Sequence, residues 1–181
     1  MFLADGDGGL NNRVVAIDPT SGHVLYEIGG VAASSQPGLF NSPHSVAYFP
    51  DNKLVFVADR SNNRTEIFSS TNGKFLGQWT CTRPGTPWGV RVWAQQGLLY
   101  QADGNSQSFT VLDLSSTSPT SAGTCNTLEV AAVDPTLCTT PHEIDVDPAS
   151  GEVYIACIGA AHSKVLRYKQ ECRGKMGKAC F

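Results

Sequence analysis

Short apolar runs bounded by turn residues recur along the chain, a pattern that predicts many brief strands and little long helix. Phe2-Leu3-Ala4-Asp5, Val55-Phe56-Val57-Ala58-Asp59, Leu99-Tyr100-Gln101-Ala102-Asp103 and Tyr154-Ile155-Ala156-Cys157 are four copies of one run, each with Ala before a small or polar residue. About ten residues before the last three stands a shared phrase. It reads Ser42-Pro43-His44-Ser45-Val46, Thr86-Pro87-Trp88-Gly89-Val90 and Thr140-Pro141-His142-Glu143-Ile144, the central positions 44 and then 54 residues apart. A further strand is predicted after each run, over Arg13 to Asp18, Thr65 to Ser69, Phe109 to Leu114 and Lys164 to Tyr168. Turn residues such as Thr71-Asn72-Gly73 then lead into a fourth, Phe75 to Thr80.

Four strands per unit with a period in the forties is the signature of a β-propeller blade rather than of a helical solenoid. With strands lettered a to d outward from the axis, the first unit has b, c and d, the next two are complete, and the last has a, b and c. The chain therefore reads as all-β, with about four propeller blades over residues 1–170 and a cysteine-containing basic tail over 171–181. The incomplete first and last blades favour a portion of a larger propeller; a compact four-bladed ring and a dimer of halves are the alternatives. Ser115 to Gly123 reads as a long inter-strand loop.

Composition sharpens the class. Of 181 residues, 41% are hydrophobic and 16% charged, with 18 Gly and 10 Pro, as suits a turn-rich β protein with a core of domain size. The net charge is −3. Basic residues gather at the end of the chain: Lys164, Arg167, Lys169, Arg173, Lys175 and Lys178 face one acidic residue there, with only Tyr168 as a stacking partner. That is a solvated terminus, and nucleic-acid binding is not expected. No apolar run approaches the roughly 18 residues of a membrane span, and Met1 to Gly9 does not resemble a signal peptide.

Six cysteines without CxxC pairs point to disulfides in an oxidising compartment. Of Cys81, Cys125, Cys138, Cys157, Cys172 and Cys180, the last two are the most local pair, and Cys157, in an apolar strand, is a candidate free core thiol. Asn63-Arg64-Thr65 is a glycosylation sequon.

The repeat also locates the chemistry. Equivalent strand-a residues from different blades converge on the axis, so His44 and His142 are expected within reach of one another, with Trp88 in the corresponding place between them. Two imidazoles begin a zinc site, whose catalytic form takes three protein ligands; the alternative is that each caps a strand turn. Arg60, at a strand end, reads from the residues alone as a surface cation or a partner of Asp59. Trp79 and Trp93 read as packing residues, His23 as an exposed turn residue, and His162 as a loop residue.

Phe2-Leu3-Ala4-Asp5-Gly6, Asn12-Arg13-Val14-Val15, Gly38 to Ala47, Val57-Ala58-Asp59-Arg60-Ser61-Asn62-Asn63-Arg64, Thr140 to Ile144 and Ala161-His162-Ser163-Lys164-Val165 together resemble the NHL-repeat propeller of peptidyl-α-hydroxyglycine α-amidating lyases. The paired Pro-His phrases and the Ala-Asp-Arg after the first carry the resemblance. It implies a six-bladed ring, of which this chain holds a part. It also implies zinc on His44 and His142, an active-site arginine at Arg60, and a carboxylate at Glu143 where a structural calcium is served. The implied reaction cleaves the N–Cα bond of a peptidyl-α-hydroxyglycine to a peptide amide and glyoxylate.

The sequence also departs from that family. Its third zinc histidine and a second arginine correspond to positions before Met1. Its catalytic tyrosine is expected just after Asp5-Gly6, where this chain reads Asp7-Gly8-Gly9-Leu10-Asn11. The alternatives are a non-catalytic extracellular NHL propeller that binds a protein or peptide, or a structural piece that associates with missing blades or other chains.

Overall fold

A computed structural model describes residues 1–30, 32–79, 85–114, 127–159 and 163–169, with residues 127–131 described by their backbone. The strands fall in four sheets. The first holds β1 (Phe2–Asp5), β2 (Arg13–Ile17) and β3 (Val24–Gly29); the second β4 (Pro43–Phe49), β5 (Leu54–Asp59), β6 (Arg64–Ser69) and β7 (Phe75–Trp79). The third holds β8 (Pro87–Trp93), β9 (Leu98–Asp103), β10 (Ser108–Asp113) and β11 (Thr127–Ala132); the fourth β12 (Thr140–Val146), β13 (Val153–Ile158) and β14 (Lys164–Tyr168). Every sheet follows chain order and every pairing is antiparallel. Helix among the described residues is limited to the single 3₁₀ turns Arg60–Asn62 and Ala94–Gln96, and none is long and apolar enough to cross a membrane.

The sheets succeed one another as propeller blades because the middle strands β5 and β9 are buried on both faces, while β13 of the last sheet is buried on alternate residues. In β5, Val55 and Val57 pack with Val14, Ile28 and Phe40 toward the first blade, while Leu54, Phe56 and Ala58 pack with Val90, Leu99 and Leu112 toward the third. The period of two in a strand sends alternate side chains into successive inter-blade cores, so the run is apolar throughout. β9 repeats this, Leu99 facing one neighbour and Leu98, Tyr100 and Ala102 the other. Trp79 and Trp93 sit in these cores, as expected of packing residues. On the inner side β4 packs against β8 and β8 against β12, so these strands line an open arc, while β1, equivalent to the second strand of a complete blade, packs against β4 as β5 does against β8 and β9 against β12.

One cysteine expectation is corrected. Cys157 is not a free thiol: it is bonded to Cys138, with the Cα atoms 5.4 Å apart. Cys138 lies on the turn leading into β12, and that turn folds back over β13, where Cys157 stands opposite Pro141. The loop from Ser115 to Gly123, His162, the basic tail, Cys81, Cys125, Cys172 and Cys180 lie outside the described residues.

The same repeat position carries different chemistry in adjacent blades. Asp59 ends β5 opposite Arg64, its ion-pair partner at 2.7 Å; Asp103 ends β9 opposite Ser108. Asp103 instead accepts from Gln101 and Thr110, and Gln101 reaches Thr65 of the preceding blade. With no cation across the ladder, burial raises the Asp103 pKa to about 6. A raised carboxyl pKa means that the folded state holds its proton more tightly than the unfolded chain. Its stabilising contribution is complete below pH 4 and is lost as the pH rises toward 6. The expected slope approaches about 1.4 kcal/mol per pH unit in that window. Asp103→Asn is expected to flatten this slope and raise the urea midpoint at pH 7, the Thr110 hydroxyl turning to accept from the new amide. Urea curves from pH 4 to 8 check it; an unchanged slope refutes the assignment.

Candidate functional site

The axial ends of β4, β8 and β12 share one irregularity. Pairing slips between Pro43 and Ser45, between Pro87 and Gly89, and between Pro141 and Glu143, so His44, Trp88 and His142 each occupy a bulge. A bulge adds a residue that leaves the ladder and re-aims its side chain, and proline just before it removes a ladder donor. Three equivalent bulges therefore turn three side chains toward one place. The His44 and His142 ring centres lie 4.6 Å apart, edge to face, and Trp88 lies 5.3 Å from the first and 5.1 Å from the second.

Hydrogen bonds orient the pair. His44 Nδ1 lies 2.8 Å from the Trp88 carbonyl oxygen, and a carbonyl only accepts, so the ring donates from Nδ1 and presents Nε2 on its other side. A zinc-binding histidine is commonly held in this way. Burial and the neighbouring His44 push the His142 pKa below its usual value, favouring the neutral imidazole that metals bind. Glu143 Oε1 lies 3.6 Å from His44 Nδ1, and Ser45 donates to its Oε2 at 3.4 Å. Among the described residues no three His, Cys, Asp or Glu side chains are grouped to hold a metal. His44 and His142 are thus a pair of adjacent imidazoles, and Glu143 stands with Ser45 and His44 rather than in a carboxylate cluster.

Arg60 lies beside this group, its guanidinium carbon 4.7 Å from the centre of the Trp88 ring. Such stacking fixes the cation while leaving its in-plane N–H groups available. Its ion-pair partner is Asp7 at 3.2 Å, not Asp59 as the sequence suggested. Asp59 is buried and engaged elsewhere: it accepts from the Asn41 backbone, from Asn62 and from Arg64. The Trp88 indole packs on Gly104, where an added Cβ would lie 2.5 Å from Nε1. That indole N–H is buried with no acceptor among the described residues.

A polar frame holds the first Pro-His phrase in place. Asn12, buried, accepts from the Ser42 backbone at 2.8 Å and donates to the Gly9 carbonyl at 3.0 Å, linking the 6–11 loop to the bulge. The Arg60 and Ser61 amides return to Ser42 and Asn41. Asn63 of the sequon is exposed, and its side-chain oxygen accepts from Thr86. Sequence reasoning missed Asp7, because nothing in a Gly-rich loop marks which distant cation it meets, and it missed the Asp59–Arg64 frame.

The NHL repeat profile matches residues 40–68, the span from Phe40 through the first Pro-His phrase to Phe68. NHL repeat-containing protein 3 of Mus musculus is 36% identical over 162 residues, covering 88% of this chain and 44% of that protein. The probable peptidyl-alpha-hydroxyglycine alpha-amidating lyase pgal-1 of Caenorhabditis elegans is 36% identical over 70 residues, 39% of this chain and 19% of that protein. Among solved structures, the WD40 repeats of RRP9 superpose with a TM-score of 0.61 over 93% of this chain and 50% of that one, at 13% identity. The fold is thus that of a repeat propeller, and the sequence resembles its NHL branch. The chain spans under half the length of the relatives it matches over most of its own.

Proposed function

We propose that this chain forms part of a zinc-dependent, amidating-lyase-like site, with His44 and His142 as two metal ligands and Arg60 as the cation that receives a ligand carboxylate. The carrying observation is the 4.6 Å approach of two histidines that lie 98 residues apart, each on its own bulge. A third ligand would come from residues outside those described or from another chain. Bound zinc would polarise a ligand hydroxyl and lower its pKa. The chain's own residues do the rest: Arg60, braced on Trp88, orients an anionic end, and the Trp88 carbonyl fixes the His44 ring. The substrate class is a peptide ending in an α-hydroxyglycine, whose hydroxyl proton ends on the departing amide nitrogen as the N–Cα bond breaks. The buried disulfide agrees with an oxidising, secretory or extracellular setting.

One observation favours a second reading, a non-catalytic NHL propeller that binds a peptide or protein. The 6–11 loop carries no tyrosine, and its Asp7 sits on Arg60.

The purified chain, loaded with zinc and freed of excess, is expected to retain metal by elemental analysis. His142→Ala is expected to lower zinc affinity roughly tenfold or more, at least the loss caused by removing an outer hydrogen-bond partner of a ligand. Equal zinc content in the two proteins refutes the metal assignment. Zinc retained without glyoxylate release from a peptidyl-α-hydroxyglycine supports the second reading.

A further inference from the structure

We infer that Asp7 is a tethered carboxylate that occupies the ligand position on Arg60 and must withdraw before a carboxylate-bearing ligand binds there. This deepens the reading of Arg60 as the anion partner of a ligand and rests on it. Asp7 Oδ1 lies 3.2 Å from Arg60 Nη1, on a guanidinium whose face is stacked on Trp88 and whose side chain is 20% exposed. The edge that Asp7 takes is the edge that an incoming carboxylate would use.

The surroundings of Asp7 suit a displaceable occupant rather than a structural pair. Its side chain is 71% exposed, so the pair is screened by solvent and weak. The tether supplies what strength it has, because a loop carboxylate beside its partner acts at high local concentration. Both roots of the loop are fixed. Asp5 is held by Arg13 at 2.9 Å and by Asn11 at 3.0 Å, and Asn12 holds the Gly9 carbonyl. Between those roots Asp7 is followed by Gly8 and Gly9, both at positive φ, in a turn closed by one backbone bond from Gly9 to Gly6. A Cβ added at either glycine would meet nothing within 4 Å, so side-chain packing does not pin this part of the turn.

The ligand class follows from the geometry. A monocarboxylate approaching Arg60 would share the Trp88 surface and lie beside the two histidines, as the C-terminal carboxylate of a short peptide does. A neutral amide of the same shape has nothing to offer in exchange for Asp7.

The test uses chelator-treated full chain at low ionic strength and follows the Trp88 indole ¹⁵N–¹H resonance, assigned with Trp88→Phe. N-acetylglycine is the probe and N-acetylglycinamide the neutral control. Asp7→Asn is expected to tighten N-acetylglycine binding about two- to fivefold, the range that a weak exposed ion pair represents. Arg60→Gln is expected to abolish binding in either background, and the amide to bind neither protein. Equal affinity for wild type and Asp7→Asn, with binding still lost in Arg60→Gln, overturns the role of Asp7 alone. Binding that survives Arg60→Gln, or no Trp88 response in any variant, overturns the site. Because zinc is absent throughout, failure of the metal assignment leaves this result standing and is told apart from it.

Discussion

Replacing Arg64 with alanine is expected to cost about 3–5 kcal/mol of stability, because it strips the cation from two fully buried carboxylates at once. Arg64 lies 2.7 Å from Asp59 and 3.2 Å from Glu66. The rest of its guanidinium is spent on the carbonyls of Ser35, Gln36 and Leu39 and on the Gln78 side chain. One side chain therefore binds the segment that leads into Ser42-Pro43-His44 to the end of β5. Burial already pushes the Glu66 pKa up to about 7, against the pull of the Gly38 amide and Arg64, and Glu66 Oε2 has no partner among the described residues. Without Arg64, Asp59 and Glu66 face each other uncompensated.

For a chain of this size the loss corresponds to a fall in melting temperature of roughly 6–20 °C. Arg64→Lys is expected to fall between wild type and alanine, since an ammonium cannot reach carboxylates and carbonyls as a planar fork does. Glu66→Gln is expected to be far milder, because it removes a charge that burial disfavours. Chemical denaturation of the three variants checks the ranking; an alanine variant within 1 kcal/mol of wild type would sink it.

Removing the Cys138–Cys157 bond is the second large effect. The bridge closes a sequence separation of 19, for which the loss of unfolded-state freedom is worth about 3 kcal/mol. The Cys138→Ala/Cys157→Ala variant is expected to show a urea midpoint lowered accordingly. The reduced wild type should match it. Both residues are buried in the core between the third and fourth blades, so reduction should follow opening of that interface rather than precede it. The consequence should reach the axis. Cys138 stands two residues before β12 begins, and Cys157 pairs with Pro141, the residue before the His142 bulge. Loss of the bridge is thus expected to broaden the Trp88 indole resonance as well as to lower stability. Reaction of Cys157 with a thiol reagent in the native, unreduced protein would contradict the bond.

Much of the fold was legible in the chain, and the reason is local. Val55 to Asp59 and Leu99 to Asp103 are short, largely apolar runs, and each is preceded by a Pro-containing phrase and followed by a turn, so the units declare themselves within stretches of about forty residues. The strand from Lys164 to Tyr168 matches the expectation at both ends, and Arg13–Ile17 differs from it by one residue. The convergence of His44, Trp88 and His142 was legible for the same reason, since equivalent positions in a radial repeat meet by symmetry.

What symmetry does not generate was hidden. The repeat places aspartates at 59 and 103 alike, but whether each meets a cation depends on the residue opposite, Arg64 in one blade and Ser108 in the other. Arg60 and Arg64 are equally plausible partners of Asp59 along the chain. Strand alternation and the 3₁₀ turn between them send Arg64 inward and leave Arg60 over Trp88 to meet Asp7.

The sequence by itself determined the strands, their grouping into blades and the axial place of the two histidines, because periodicity and turn chemistry act between neighbours. The tertiary structure alone decided which carboxylate faces which cation, which cysteine meets Cys157, and that bulges aim three side chains together. Those depend on distances between residues far apart in the chain, fixed only once the blades pack.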